Sequence, residues 1–121
     1  MLRLADLLKN GEGCKKNVEV AREWEAKAIA EVFGEHKPYV ASTKSFTGHE
    51  MWMAGASEIV YSMLMMQNNF IAANLNFEEI EDKTIDINIP KTRVDMEFDT
   101  FLSNSFGFGG TNSTLIVKKV K

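Results

Sequence analysis

The chain has 121 residues, of which 45% are hydrophobic and 26% are charged, and its formal net charge of −3 argues against sequence-independent binding of nucleic acid. Its single cysteine, Cys14, excludes an internal disulfide and a thiolate-based metal cluster. The longest apolar run, at residues 59–66, is far shorter than the roughly 20 residues that span a bilayer, so we expect a cytoplasmic protein without a membrane segment.

The first helix is predicted from about Val18 to Phe33, because apolar residues recur four apart along one face that ends at Val32. Asn17 is a candidate for its N-cap, and Gly34 occupies the place of a glycine that ends a helix. Residues 1–17 hold a short amphipathic piece and a stretch rich in glycine and lysine, and we expect this segment to be poorly ordered.

A second helix is predicted from about His49 to Met66. Its start has the pattern of a capping box, in which Thr47 accepts a hydrogen bond from the helix and Glu50 reaches back. The small residues at 54–56 leave part of this helix bare, so another backbone can approach it closely.

Several segments are predicted to be extended. Tyr39–Ser42, after Pro38, has the pattern of a short buried strand, and the others are residues 70–76, 85–89, 98–104 and 114–119. A glycine-rich turn at 107–110 joins the last two strands. The alternation of helices and strands favours an α/β layered domain.

Two short patterns resemble known sites and fail on their spacing. His49 and Glu50 begin like a helical H-E-x-x-H zinc motif, but the place of the second histidine is taken by Met53. The glycines at 107–110 begin like a dinucleotide-binding loop, but the third glycine is replaced by Asn112, and a strand follows instead of a helix. The sequence therefore predicts neither zinc nor a dinucleotide.

Lys44 and His49 form a third pattern, since they bracket a short segment that follows a strand and leads into a helix. A histidine in the first turn of a helix feels the positive end of the helix dipole, which favours the neutral imidazole. A neutral imidazole can donate a hydrogen bond to a carbonyl oxygen without losing its proton. From these residues alone, a structural role for His49 is as well supported as a catalytic one.

Two longer motifs carry a family resemblance. Residues 42–49 read STKSFTGH and are followed by AGA at 54–56, while residues 103–112 read SNSFGFGGTN. In this order and spacing they resemble the two blocks of elongating β-ketoacyl-[acyl carrier protein] synthases, and the resemblance extends over residues 23–121. It implies an α/β, thiolase-like fold of which the chain is the C-terminal half, a mixed β-sheet with packed helices that is incomplete without the N-terminal half. The implied C-terminal domain is residues 18–121.

The resemblance also implies a reaction, the decarboxylative Claisen condensation of fatty-acid or polyketide synthesis. An acyl group passes from acyl carrier protein to an active-site cysteine, and the carbanion formed by decarboxylation of malonyl-carrier protein attacks that thioester. His49 matches the family's second active-site histidine, which hydrogen-bonds the malonyl thioester carbonyl. Lys44 matches the lysine whose charge orders the histidines.

Further residues match supporting positions of the family. Glu58 matches an acid that pairs with the lysine and histidine network, and with Ser103 and Asn104 it is expected to line the monovalent-cation site of some members. No other metal and no cofactor is implied.

The second block matches the family's gate. Phe108 corresponds to the gating aromatic, whose backbone N–H helps to form the oxyanion hole and whose ring controls entry to the acyl pocket. Gly107 and Gly109 flank it and give the gate a backbone freedom that residues with a Cβ lack.

The chain departs from the family pattern at its N-terminal side. The nucleophilic cysteine belongs to the other half of the fold, and residues 13–20 (GCKKNVEV) replace the block that holds the first histidine. We therefore expect the chain alone to be inactive, with acyl carrier protein and an N-terminal synthase half as partners and a homodimer when complete. Residues 50–53 (EMWM) replace the small residues that commonly follow the second histidine, and Trp52 takes the place of a glycine.

Two other interpretations remain open. In the first, the chain is a non-catalytic remnant, or a subunit like a chain-length factor, that binds a partner synthase or a carrier protein. An unrelated α/β binding module would require both motif blocks to be coincidental.

Overall fold

The structure is a computed structural model that describes residues 15, 18–80, 82, 85–107 and 110–120. It has two compact units, one formed by the residues up to Pro38 with Glu79–Asn88, the other by Tyr39–Glu78 with Ile89–Lys121. The expectations for residues 1–17, including the Asn17 cap, fall outside the described residues except at Lys15. The boundary between residues 1–17 and 18–121 stays a prediction.

In the first unit, helix α1 spans Val18–Phe33, as the apolar spacing predicts. Gly34 adopts a left-handed φ of 53° and donates its N–H to the Ala30 carbonyl at 2.9 Å, which ends the helix as expected. The predicted apolar face is not buried at the C-terminal end of α1, where Val32 is 75% exposed. Among the described residues of this unit, the buried side chains are Ala21, Ala26, Ala28 and Ile85.

Polar contacts join the two segments of the first unit. Lys37 forms an ion pair with Asp86, and its carbonyl accepts a hydrogen bond from the Asn88 amide at 2.8 Å. Lys27 lies 3.2 Å from the Asp82 carboxylate. Residues 85–89 are therefore held by side-chain contacts, and the strand predicted there is wrong apart from a single bridge residue, Asn88.

The second unit begins with a segment that is not the predicted buried strand. Within Tyr39–Ser42 only Tyr39 is a bridge residue, and most of the segment is exposed. The side chain of Asn74 hydrogen-bonds the main chain of this segment. It donates to the Val40 carbonyl at 3.1 Å and accepts from the Ser42 N–H at 2.8 Å. These groups are satisfied by a side chain, so the segment needs no strand ladder there.

The helices of this unit are α2, Lys44–Thr47, and α3, Ala54–Gln67, with a 3₁₀ turn at Met51–Met53 between them. The predicted single helix from His49 is therefore divided. Its capping box is wrong as well, because α3 starts at Ala54 and neither of the two residues caps it. Instead, the Thr47 hydroxyl donates to the Gly48 carbonyl at 3.1 Å.

Two antiparallel sheets of two strands each complete the unit. Strand β1 is Phe70–Ile71 and pairs with β2, Val94–Asp95. Strand β3, Thr100–Gly107, pairs with β4, Thr111–Lys118, from Thr100 opposite Lys118 to Gly107 opposite Thr111. The strand predicted at 70–76 is thus much shorter than expected, whereas the hairpin strands extend to the glycine turn because the ladder continues to it. All strand pairs among the described residues are antiparallel.

Helix α3 packs against the hairpin through its bare face. A Cβ added at Gly55 would lie 3.0 Å from the Ser105 Oγ of β3. The close approach expected from the small residues 54–56 is therefore present, and it holds the helix against the strand that carries the second motif. No helix in the described part of the chain is long and apolar enough to cross a membrane.

Candidate active site

Two of the predicted site residues form an ion pair. Lys44 is the first residue of α2, and its ammonium group donates to the carboxylate of Glu58 in α3. The Lys44 side chain is 44% exposed and that of Glu58 only 19%, so the acid is the more buried partner. Lys44 places a cation beside this partly buried carboxylate and offsets part of the hydration that it has lost.

His49 lies between α2 and the 3₁₀ turn, directly after Gly48, whose φ of 75° is left-handed. It therefore precedes the turn and does not lie in the first turn of a helix, so the dipole argument made from the sequence does not apply. Its ring is oriented by another contact. The Met51 backbone N–H donates to His49 Nδ1 at 3.0 Å.

That contact fixes which ring nitrogen carries the proton. A nitrogen that accepts a hydrogen bond is unprotonated, so the neutral imidazole of His49 has its proton on Nε2. The side chain is exposed, and the Nε2–H is the group that it can offer to an acceptor. Whether this group serves as a donor in a reaction stays a prediction.

Glu50, which follows His49 in the chain, forms a contact with Tyr61 that was not predicted from the sequence. The Tyr61 hydroxyl of α3 donates to Glu50 Oε1 at 2.8 Å. The hydrogen bond to Glu50, burial and the negative charge of Glu50 together raise the pKa of Tyr61, while a hydrogen bond with Ser57 acts in the opposite direction. The one signal for this pair was the unusual EMWM sequence, since Glu50 stands where the family has a small residue.

An open apolar pocket of about 260 Å³ lies between residues of α2, α3 and β1. Beside it, Thr43 Oγ1 is buried and has no hydrogen-bond partner among the described residues. The pocket is lined by residues of α2, α3 and β1 and their flanks, namely Thr43, Phe46, Thr47, Tyr61, Leu64, Met65, Phe70 and Ala72.

The second motif lies along β3, and its side chains alternate between the two faces of the hairpin. Ser103 is half-buried, on the same face as Ser105 and so towards α3. Asn104 is on the opposite, exposed face, where its Oδ1 accepts a hydrogen bond from the Thr114 hydroxyl at 2.7 Å. The side chains of Ser103 and Asn104 therefore do not converge on one cation with Glu58.

Phe108 and Gly109 lie outside the described residues. Gly107 is the last paired residue of β3 before the turn, opposite Thr111. Within the described residues, no group of three or more His, Cys, Asp or Glu side chains is arranged to hold a metal ion.

Comparison with known proteins gives consistent matches. A family model described as "Beta-ketoacyl synthase, C-terminal domain" matches residues 17–78. The chain is 46% identical over 97 residues to 3-oxoacyl-[acyl-carrier-protein] synthase 1 of Escherichia coli (strain K12), covering 80% of this chain and 24% of that protein. It is also 46% identical over 99 residues to 3-oxoacyl-[acyl-carrier-protein] synthase 2 of Coxiella burnetii, covering 79% of this chain and 24% of that protein.

A solved structure is similar as well. It is of a type II PKS acyl-carrier protein in complex with its ketosynthase bound to the hexaketide, and it matches with a TM-score of 0.67 and 28% sequence identity. The match covers 79% of this chain and 24% of the solved one. The chain thus spans about a quarter of the length of the proteins that it matches.

Proposed function

The chain belongs to the β-ketoacyl synthase family, whose C-terminal domain it matches. We propose that it supplies the residues of a condensing site that promote decarboxylation. The family and the thiolase-like α/β fold predicted from the two motifs are confirmed. The proposed reaction is the condensation of malonyl-acyl carrier protein with an acyl thioester. Fatty-acid synthesis is the favoured setting, because the chain is 46% identical to the Escherichia coli 3-oxoacyl synthase 1 and 28% identical to the polyketide ketosynthase.

The observation that carries this proposal is the hydrogen bond from the Met51 N–H to His49 Nδ1. It leaves the Nε2–H to donate to the thioester carbonyl oxygen of the malonyl group. When the bond to the carboxylate carbon breaks and CO2 leaves, its electron pair forms an enolate, and this donor stabilises the negative oxygen. A preorganised donor of this kind contributes about 3–4 kcal/mol to the transition state.

Lys44 and Glu58 support this site by charge. The ion pair joins α2, which precedes His49, to α3, which follows it, so it holds the two ends of the segment that contains the histidine. The Lys44 ammonium also provides a positive charge on that segment, where it favours the enolate. In the structure, this positive charge is paired with the Glu58 carboxylate.

The remaining parts of the reaction need groups that the described residues do not include. We assign the gate and oxyanion hole to Phe108 between Gly107 and Gly109, by their match to the family motif. The nucleophilic cysteine and the first histidine would come from an N-terminal synthase half. Acyl carrier protein, a homodimeric assembly and a monovalent cation near Glu58 belong to the same proposal.

The alternative is a subunit that binds a synthase or carrier protein without catalysis. It is favoured by residues 13–20, which lack the block of the first histidine, and by the bulky EMWM segment next to His49. In that case the chain would form the same complex, and His49 would have no effect on any reaction.

A complementation assay separates the two functions. The chain is mixed with a separately expressed N-terminal portion of the Escherichia coli synthase 1, and condensation of acyl- and malonyl-carrier protein is measured. We expect activity in the mixture and none from the chain alone. His49→Ala should lower kcat about 100- to 1000-fold, the effect of removing one preorganised donor.

His36→Ala is the matched control, since His36 is the second of the two histidines and lies in the other compact unit. It should leave the rate of the mixture unchanged. A soluble complex with no condensation activity would instead support the binding subunit. Equal losses in the two histidine variants would contradict the role given to His49.

A further inference from the structure

The segment that contains His49 is tied to α3 by one side-chain hydrogen bond. The Tyr61 hydroxyl, in the second turn of α3, donates to Glu50 Oε1 at 2.8 Å, and Glu50 is the residue next to His49. This contact is partly buried, so it is less open to competition from water than a bond on the surface. The segment itself buries no side chain in its 3₁₀ turn.

The main chain around Glu50 continues this connection to the imidazole. The Glu50 carbonyl accepts a hydrogen bond from the Met53 N–H at 3.1 Å, which closes the 3₁₀ turn. Inside that turn the Met51 N–H points at His49 Nδ1, at 3.0 Å. A movement of Glu50 therefore changes the direction of the N–H group that orients the histidine.

Met51 shows that this turn is held in a costly conformation. Its φ is 54°, a left-handed value that a residue with a Cβ adopts rarely. Such strain persists where surrounding contacts determine the backbone, and it concentrates at functional sites. Met51 and its neighbours Trp52 and Met53 are largely exposed, so packing of their side chains does not hold the turn.

We propose that Glu50 and Tyr61 are positioning residues, which hold the turn after His49 so that its Nδ1 keeps the Met51 N–H and its Nε2–H stays available as a donor. This inference rests on the proposed function for its catalytic consequence. In this inference neither Glu50 nor Tyr61 touches the substrate. Both act through the backbone on His49, which contacts the substrate in the proposed function.

The electrostatics of the pair agree with this role. The Tyr61 phenol is protonated at neutral pH and donates to the Glu50 oxygen, and this contact in turn raises the pKa of Tyr61. The pair is distinct from the ion pair of Lys44 with Glu58, which joins α3 to the other side of His49. The histidine segment is thus fixed to α3 on both sides.

The test measures the imidazole directly. The chain is labelled on histidine and mixed with the unlabelled N-terminal portion of the synthase, and the nitrogen NMR shifts of His49 report which ring nitrogen is protonated. Tyr61→Phe removes the hydroxyl and keeps the ring. We expect the His49 Nδ1 shift to move towards that of a mixture of tautomers, while His36 in the same sample stays unchanged.

Activity gives the second readout. In the same mixture, Tyr61→Phe should lower kcat about 10- to 100-fold, as a small misplacement of a reacting group does, and leave KM unchanged. Glu50→Ala removes the acceptor of the same hydrogen bond and should have the same effect. Either variant can therefore test the inference if the other folds poorly. Glu50→Gln retains an acceptor oxygen and should preserve both tautomer and rate. Tyr39→Phe, at the second of the two tyrosines, is the matched control.

The outcomes distinguish this inference from the proposed function. Unchanged His49 shifts in an active mixture carrying Tyr61→Phe would overturn the positioning role and leave the function intact. An inactive wild-type mixture in which Tyr61→Phe still moves the His49 shifts would support the positioning and count against the function.

Discussion

Two neighbouring regions of the second compact unit are built by different forces. The first, α2 with the 3₁₀ turn, covers Lys44–Met53 and contains no buried residue in either element. The second, α3 with its hairpin, contains the close contact of Gly55 with Ser105 and a continuous ladder of paired residues in β3 and β4. The regions join at Ala54, yet only the second has a packed face.

The difference shows where chemistry and stability are located in this chain. The first region is shaped by a few discrete polar contacts: the Lys44 ion pair, the bond to His49 and the bond of Glu50 with Tyr61. Removing one of them should change the geometry of the site with little change in stability. In the second region, one added side chain at the helix–hairpin contact should lower stability with little effect on the geometry of the site. The following predictions test this contrast.

Among the tests of this contrast, the largest effect is expected at Lys44. Lys44→Met removes the charge while keeping a side chain of similar length, and it leaves Glu58 without its cation. In the complemented mixture we expect kcat to fall about 100-fold, because the histidine segment loses one of its two attachments. The free energy of unfolding should fall by only about 1 kcal/mol, since the Lys44 end of the pair is nearly half exposed and solvent screens the interaction.

Lys37→Met is the matched control for this experiment. Lys37 is 42% exposed, close to the 44% of Lys44, and forms an ion pair with Asp86 in the first compact unit. It should change neither rate nor stability appreciably. If the two lysine variants lose activity equally, the loss comes from the change in net charge and not from the Lys44 ion pair. The two regions would then not differ in their effect on catalysis.

A smaller effect, on stability instead of rate, is expected at Gly55. Gly55→Val places a branched side chain where a Cβ alone would meet Ser105 Oγ at 3.0 Å. We expect the free energy of unfolding to fall by about 1–3 kcal/mol, the usual cost of overpacking. Chemical denaturation of the chain with circular dichroism measures it.

Ala56→Val controls for the helix propensity of valine, because Ala56 is in the same turn of α3 but is exposed. It should cost only a few tenths of a kcal/mol, the change in propensity. Equal destabilisation by the two substitutions would show that the approach of α3 to β3 contributes nothing, and the second region would then not be the packed one.

The same division explains what could be predicted from the sequence. Helix α1 has its predicted bounds, and the hairpin is present, because periodic apolar residues and a glycine turn act locally. The capping box at Thr47 and Glu50 was wrong, since each residue found another partner. The strand at Tyr39–Ser42 was wrong because Asn74, far along the chain, takes its main-chain groups.

The site itself was predictable only in part for a related reason. Lys44 and Glu58 were named from the family motif, and their ion pair is present, although spacing alone did not require it. Tyr61 gave no signal, because a tyrosine on an apolar helix has the pattern of a core residue. Its role appears only once α3 and the turn are seen together.

The smallest effect concerns the ionisation of Tyr61. Its hydrogen bond to Glu50, its burial and the nearby carboxylate raise its pKa above the ordinary value of 10.0. The protonated phenol is therefore favoured in the folded state. The stability that it contributes is fully present below pH 10 and is lost as the pH rises through the raised pKa, so the free energy of unfolding should decline in that alkaline range.

Phenolate absorbance measures this directly in the Tyr39→Phe chain, where Tyr61 is the remaining tyrosine. We expect a midpoint above 10.0, and a lower one when Glu50→Gln is added, because the amide keeps the acceptor but removes the charge that repels phenolate. A midpoint at or below 10.0, or one that ignores Glu50→Gln, would mean that Tyr61 and Glu50 are apart in solution. The turn after His49 would then lack its attachment to α3, and the contrast between a region held by polar contacts and a packed one would rest on Lys44 and Glu58 alone.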